Sequence, residues 1–149
     1  MTIRLLLAFL HLLTLCVGFY AIWARANALR TLKDKTDLAA VFQADALWGI
    51  AAIFWLLTGF LRVYGGFEKG TGYYLHSTVF FIKMFLFILV FFLELKPMIT
   101  MIGWRRKEKK GEDIDFSQAR FFSLLSYLEL ILLPFIVLCA VALARGFWF

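Results

Sequence analysis

Charge is scarce in this chain, with Asp, Glu, Lys and Arg making up 17% of its 149 residues, well below an ordinary soluble domain. Cysteine, proline and histidine are rarer still, at two residues each. Two cysteines exclude a disulfide-built scaffold, and since Cys16 and Cys139 both fall inside apolar runs they read as small core hydrophobes. There is no P-loop, no paired CxxC, no HExxH and no serine, histidine and acid set. Nucleotide hydrolysis, zinc proteolysis and triad chemistry therefore have no foothold.

The chain is instead 63% hydrophobic and 19% aromatic, with a mean hydropathy of +0.84. Its charges are clustered between apolar runs of about 20 residues, the length that crosses a bilayer. Four runs qualify, at residues 5–24, 46–64, 79–102 and 121–144, and together they define a single transmembrane domain. Backbone groups in lipid must be satisfied within the segment, so the spans are helices and the fold class is an all-α, four-transmembrane-helix bundle. The first run, followed by Ala24, Arg25 and Ala26, has the outline of a signal peptide. It is too long for one, carries His11, and has more basic residues after it than before it, so it is read as a span.

The net charge of +6 is a matter of topology and implies no nucleic-acid partner. Arg25, Arg30, Lys33 and Lys35 fall in the first connection; Arg105, Arg106, Lys107, Lys109, Lys110 and Arg120 fall in the third. The opposite side holds Arg4, Lys69, Arg145 and the helix-end Arg62. The positive-inside rule then places both termini outside the cytoplasm. Asp115 to Gln118 has the form of a capping box before the fourth span, and Ser77 or Thr78 is a candidate cap for the third. Trp23, Trp48 and Trp104 at inner ends, with Tyr64, Tyr73, Tyr74 and Trp148 at outer ones, read as interfacial belts. Gly65, Gly66, Gly70 and Gly72 mark a tight outer turn.

Ionisable residues at membrane depth are costly and face a bundle interior, which makes His11, Arg62, Lys83, Glu94, Lys96 and Glu129 the informative side chains. By depth, His11, Arg62 and Lys83 belong to an outer layer and the other three to an inner one. Two stripes of small and polar residues, His11, Thr14, Gly18 and Ala21 on one helix and Asp45, Gly49, Ala52, Gly59 and Arg62 on the next, are expected to meet. Lys83 and Glu94 share a face about 16 Å apart, too far to pair. Glu129 is expected to face Glu94 and Lys96, while His11, Arg62 and Lys83 are expected to line one outer cavity with Tyr73 and Tyr74 at its mouth. The plainer readings are that Arg62 and Lys96 snorkel to headgroups, His76 is a loop residue, His11 is an interhelical hydrogen-bonding histidine, and Pro97 and Pro134 kink their helices.

Residues 59–97 carry Gly59, Arg62, Lys69 and Gly70, Tyr73 and Tyr74, Lys83, Leu86 and Phe87, and Pro97. This pattern resembles a bacterial family of four-helix membrane proteins, domain of unknown function family 2214, which implies a multi-pass protein of the inner (plasma) membrane. FLH with His11, FFIKM with Lys83, and Arg120-Phe121-Phe122 with Glu129 are similar to the HemJ-type protoporphyrinogen oxidases. That resemblance implies haem b, with His11 as metal ligand, His11, Arg62 and Lys83 binding the cofactor, and Lys83 and Glu129 as catalytic residues of a membrane oxidoreductase. The chain departs from it in lacking a histidine in WARANALR and a tyrosine-histidine pair after the lysine helix. Met84 and His76 are the remaining candidates for a second axial ligand. Two other readings stand beside it: an accessory subunit of a membrane complex or homo-oligomer, whose buried charges fix register, and a carrier or proton relay built on Glu94 and Glu129.

Overall fold

The computed structural model describes residues 2–65 and 71–147, and the sequence expectations placed on Gly66, Lys69, Gly70 and Trp148 lie outside them. Within the described residues the chain is helical throughout: α1 (Thr2–Thr31), α2 (Leu38–Tyr64), the short α3 (Thr71–Leu75), α4 (Thr78–Lys110) and α5 (Ala119–Arg145), with a 3-10 turn at Lys35–Asp37. α1, α2, α4 and α5 are each long and apolar enough to cross a membrane.

Helix overruns span in every case. α1 continues seven residues past position 24 and α2 begins eight before position 46, leaving only residues 32–37 between them. Hydropathy stops at the first charge, whereas the backbone keeps its helical hydrogen bonds until it finds other partners. Arg25, assigned by the sequence to a connection, therefore lies inside α1, with no exposed surface. At 33 residues α4 is about 50 Å long, beyond a hydrocarbon core of about 30 Å, so its last turns carry their lysines clear of the bilayer.

The helices form an open ring in which α1 packs on α2 and α5, and α4 on α5, while α2 and α4 barely touch. Lys35 Nζ donates to Glu112 O at 2.9 Å and pairs with Asp113 at 3.2 Å, so the first and third connections share one end, the basic end. Tyr73 Oη donates to Leu143 O at 2.8 Å, tying α3 to the other end. The exterior is Leu, Ile and Phe, for instance Leu5, Phe85 and Leu124, as a lipid-facing surface requires.

Three of the local expectations are corrected. Asp115 makes an Asx turn, accepting from Ser117 N and Oγ at 2.8 Å each, and helix α5 starts four residues later without a side-chain cap. Ser77 does occupy the position before α4, but its hydroxyl makes no cap bond and is buried with no hydrogen-bond partner among the described residues; its carbonyl accepts from Phe80 N instead. Trp48 and Trp104 are buried core residues, packed inside the bundle by helices that run on beyond them. The α1 and α2 stripes meet at one point, where a Cβ on Gly59 would lie 3.2 Å from His11 Cε1; Gly18 instead faces Trp48, off the α2 stripe, at 2.8 Å from such a Cβ. Gly49 takes no part, having no neighbour within 4 Å of such a Cβ.

Candidate functional site

Two polar layers lie inside the ring, separated by an apolar one containing Ile22, Trp48, Ala51, Leu133 and Ile136. A further apolar layer around Leu29, Val41, Met101, Trp104 and Phe122 closes the basic end.

The inner polar layer is centred on Arg25. Its guanidinium forks onto Glu94, with Nη1 to Oε1 at 2.5 Å and Nη2 to Oε2 at 2.6 Å. The same Nη2 reaches Glu129 Oε2 at 2.9 Å, Nε donates to Ser126 Oγ at 3.2 Å, and Nη1 lies 3.4 Å from Asp45 Oδ1. Arg105 Nη2 holds the other Asp45 oxygen at 2.7 Å and also donates to Phe42 O. One cation thus joins all four spanning helices. The fork geometry is what arginine supplies and lysine cannot. Glu94 and Glu129 come together as expected, but Lys96 is exposed and lies 5.2 Å over the Phe121 ring, so it does not face them.

Arg25 is the residue that sequence reasoning missed, though a signal was present. The stripe His11, Thr14, Gly18, Ala21 continues at the same spacing to position 25. A charge directly after an apolar run reads as a loop residue, whereas periodicity puts it on the buried face.

The second layer is a cleft at the α3 end, in the gap between α2 and α4. Its larger compartment, about 170 Å³, is lined by Trp55, Gly59, Phe80, Met84 and Phe87; an adjoining compartment of about 130 Å³ is lined by Arg62, Tyr74 and Ala144. His11 and Lys83 line both compartments, so the cleft brings His11, Arg62 and Lys83 together. His11 Nδ1 lies 2.9 Å from Thr58 Oγ1. The threonine hydrogen goes to Phe54 O at 2.7 Å, so the imidazole must be the donor, which leaves the lone pair on Nε2. His11 stacks on Trp55 at 5.8 Å. Among the described residues, neither His11 Nε2 nor Lys83 Nζ has a hydrogen-bond or ion-pair partner, and the buried Trp55 Nε1 has no acceptor. Met84 shares this cleft, whereas His76 is exposed and bonds Gly72 O. No set of three His, Cys, Asp or Glu side chains suited to a metal occurs among the described residues.

Lys83 and Glu129 do not share a site. Glu129 belongs to the inner layer with Glu94, and eleven residues of α4, about 16 Å, separate Glu94 from Lys83.

Buried charge, a lipid-facing apolar exterior and four spanning helices define an integral, multi-pass membrane protein. The family model described as "predicted membrane protein", domain of unknown function 2214, matches residues 3–147, and the chain belongs to that family. No curated protein and no solved structure gives a match to it.

Proposed function

We propose that this protein binds an anionic amphiphile, taken laterally from the leaflet at the α3 end into the α2–α4 cleft. The observation that carries the reading is Lys83: its ammonium lies in a partly buried, apolar-walled cleft with no carboxylate partner among the described residues. A cation so placed is stabilised by an anion from outside the chain. Trp55 Nε1 adds a donor, Arg62 and Tyr74 line the adjoining compartment, and Phe80, Met84 and Phe87 offer an apolar wall to the ligand's body.

Phosphate of a lipid headgroup and the carboxylates of a porphyrin share this chemistry. The His11 tautomer suits iron ligation through Nε2, with its other nitrogen oriented by Thr58 in the manner of supported ligating histidines. Bound haem b would supply one-electron chemistry there, as in oxidation of a porphyrinogen-like substrate. The compartments are small beside the roughly 300–1,000 Å³ that encloses a drug-sized ligand, so a tetrapyrrole would keep most of its ring against acyl chains. The space therefore favours a lipid headgroup over a macrocycle. The Arg25 layer supports a second reading, an accessory subunit whose buried charges fix helix register.

Trp55 lines the cleft and serves as the probe, with Trp55→Phe giving the background of the other tryptophans. In reconstituted bilayers, brominated phosphatidic acid should quench Trp55 more than brominated phosphatidylcholine at equal fraction, and Lys83→Gln should remove the difference. Equal quenching by the two lipids, together with a Soret band on haem addition that His11→Ala abolishes, would transfer the site to a porphyrin. Equal quenching without such a band would leave the accessory-subunit reading.

A further inference from the structure

Asp45 from α2, Glu94 and Arg105 from α4, Glu129 from α5 and Arg25 from α1 occupy one cluster, with three carboxyl groups facing two guanidinium groups. Fully ionised, the set holds one negative charge in excess. Lys96, two residues from Glu94 on α4, is turned away over Phe121. Arg25 and Glu129 have no exposed side-chain surface and apolar layers close the cluster above and below, so the surplus is poorly screened at the Glu129 side.

The hydrogen bonds distribute that surplus unevenly. Both Glu94 oxygens are held by the Arg25 fork, and both Asp45 oxygens are met by guanidinium groups, one from each arginine. Glu129 receives a donor at Oε2 alone; Oε1 is buried and receives none. Its Oε2 and Glu94 Oε2 both accept from the same Arg25 Nη2, at 2.9 and 2.6 Å, so the two carboxyl groups converge on one donor nitrogen. Two carboxylates so placed repel, whereas one proton between them converts the contact into a hydrogen bond and cancels the excess charge.

We propose that the Arg25 cluster is a proton-binding site, holding one exchangeable proton on the Glu129 carboxyl and sharing it with Glu94. Release breaks the Glu129 O–H bond, passes the proton to a Glu94 oxygen and then to water at the α2–α4 edge, leaving both glutamates as carboxylates. The way in is the basic-end side of that edge, since Arg105, which holds Asp45, keeps 35% of its side-chain surface exposed and Asp45 and Glu94 keep 14% and 15%, while Arg25 and Glu129 keep none. The apolar layer with Trp48, Leu133 and Ile136 separates this proton from the α3-end cleft. Occupancy by the proton bears directly on α4–α5 packing, because its loss sets two anions against each other across that contact.

Infrared spectra of the reconstituted full chain read the carbonyl stretch of a protonated carboxylic acid and its shift in D2O. One exchangeable band is expected at neutral pH, lost in Glu129→Gln. It should also be lost in Asp45→Asn, where both glutamates remain but the charge surplus does not. The second variant is nearly isosteric and leaves Arg25 on both glutamates, so it decides the matter even if Glu129→Gln fails to fold. Absence of the band in the native protein, or its persistence in Asp45→Asn, overturns the proposal.

Discussion

Arg25 makes charged contacts with three helices other than its own, so replacing it strands carboxylates rather than merely deleting one contact. Arg25→Met keeps the side chain's bulk but leaves Glu94 and Glu129 facing each other without a cation. Breaking a buried ion pair from one side costs about 3–5 kcal/mol. A large fall in thermal midpoint in detergent is expected, and Arg25→Lys should recover little of it, because a point charge cannot fork onto Glu94 and still reach Glu129. Native-like melting of Arg25→Met would show that the cluster contributes nothing to stability. Two glycines give a graded comparison. The Cβ of Gly18→Ala would fall 2.8 Å from the Trp48 ring, a buried wall with little room to move, and overpacking of this kind costs about 1–3 kcal/mol. In Gly59→Ala the contact is 3.2 Å, to the His11 ring, which lies at the partly open cleft. Gly18→Ala should therefore lower the melting temperature more, whereas Gly59→Ala should act chiefly on Trp55 quenching by bound lipid.

The four long helices were legible because each holds an apolar run that only a helix can carry through lipid, but their ends were not. Hydropathy marks where charge begins; a helix ends where its backbone finds other partners, as at Asp34, Gly111 and Gly146. That difference hid Arg25 in a supposed loop and left Asp45 at the margin of a span. The outer grouping of His11, Arg62 and Lys83 could be read from depth alone, since all three lie near the same helix ends. The partners of Glu129 required knowing which helices adjoin, which no periodicity reports. The connections titrate in a way that can be checked. The Thr36 hydroxyl and N–H hold the Asp34 carboxyl below its usual value near 3.8, and the Ser117 N–H and hydroxyl do the same for Asp115. Depressed carboxyls favour the folded turn above their unfolded value and lose that contribution as pH falls through the folded one. Amide exchange at Thr36 and Ser117, corrected for the intrinsic rate, should accelerate below about pH 4. Asp34→Asn should make Thr36 indifferent to pH in that window, and protection unchanged by acid in the native chain would contradict the assignment.

Across the whole molecule, charge is sorted by level: exposed lysines and arginines at the basic end, the Arg25 cluster above them, an apolar layer, and the cleft with Lys83 at the α3 end. Removing Arg25 from the loop tally weakens the argument for orientation without reversing it. Arg30, Lys33, Arg106, Lys107, Lys109 and Arg120 remain exposed at one end. Lys35 stays there too, although Asp113 offsets part of its charge. The other end shows Arg4, Arg62 and Arg145 among the described residues. The rule counts lysine and arginine in short connections, and both basic connections are short, at residues 32–37 and 111–118. The prediction is that the basic end is cytoplasmic and both termini face away from the cytoplasm, which would put the Lys83 cleft in the outer leaflet and the proton-binding cluster nearer the inner one. A reporter active only outside the cytoplasm, fused after Phe149, should be active, and a second fused within residues 111–118 should be silent. The opposite pair of results would invert the molecule, move the cleft to the cytoplasmic leaflet, and make anionic lipid of that leaflet the ligand to test.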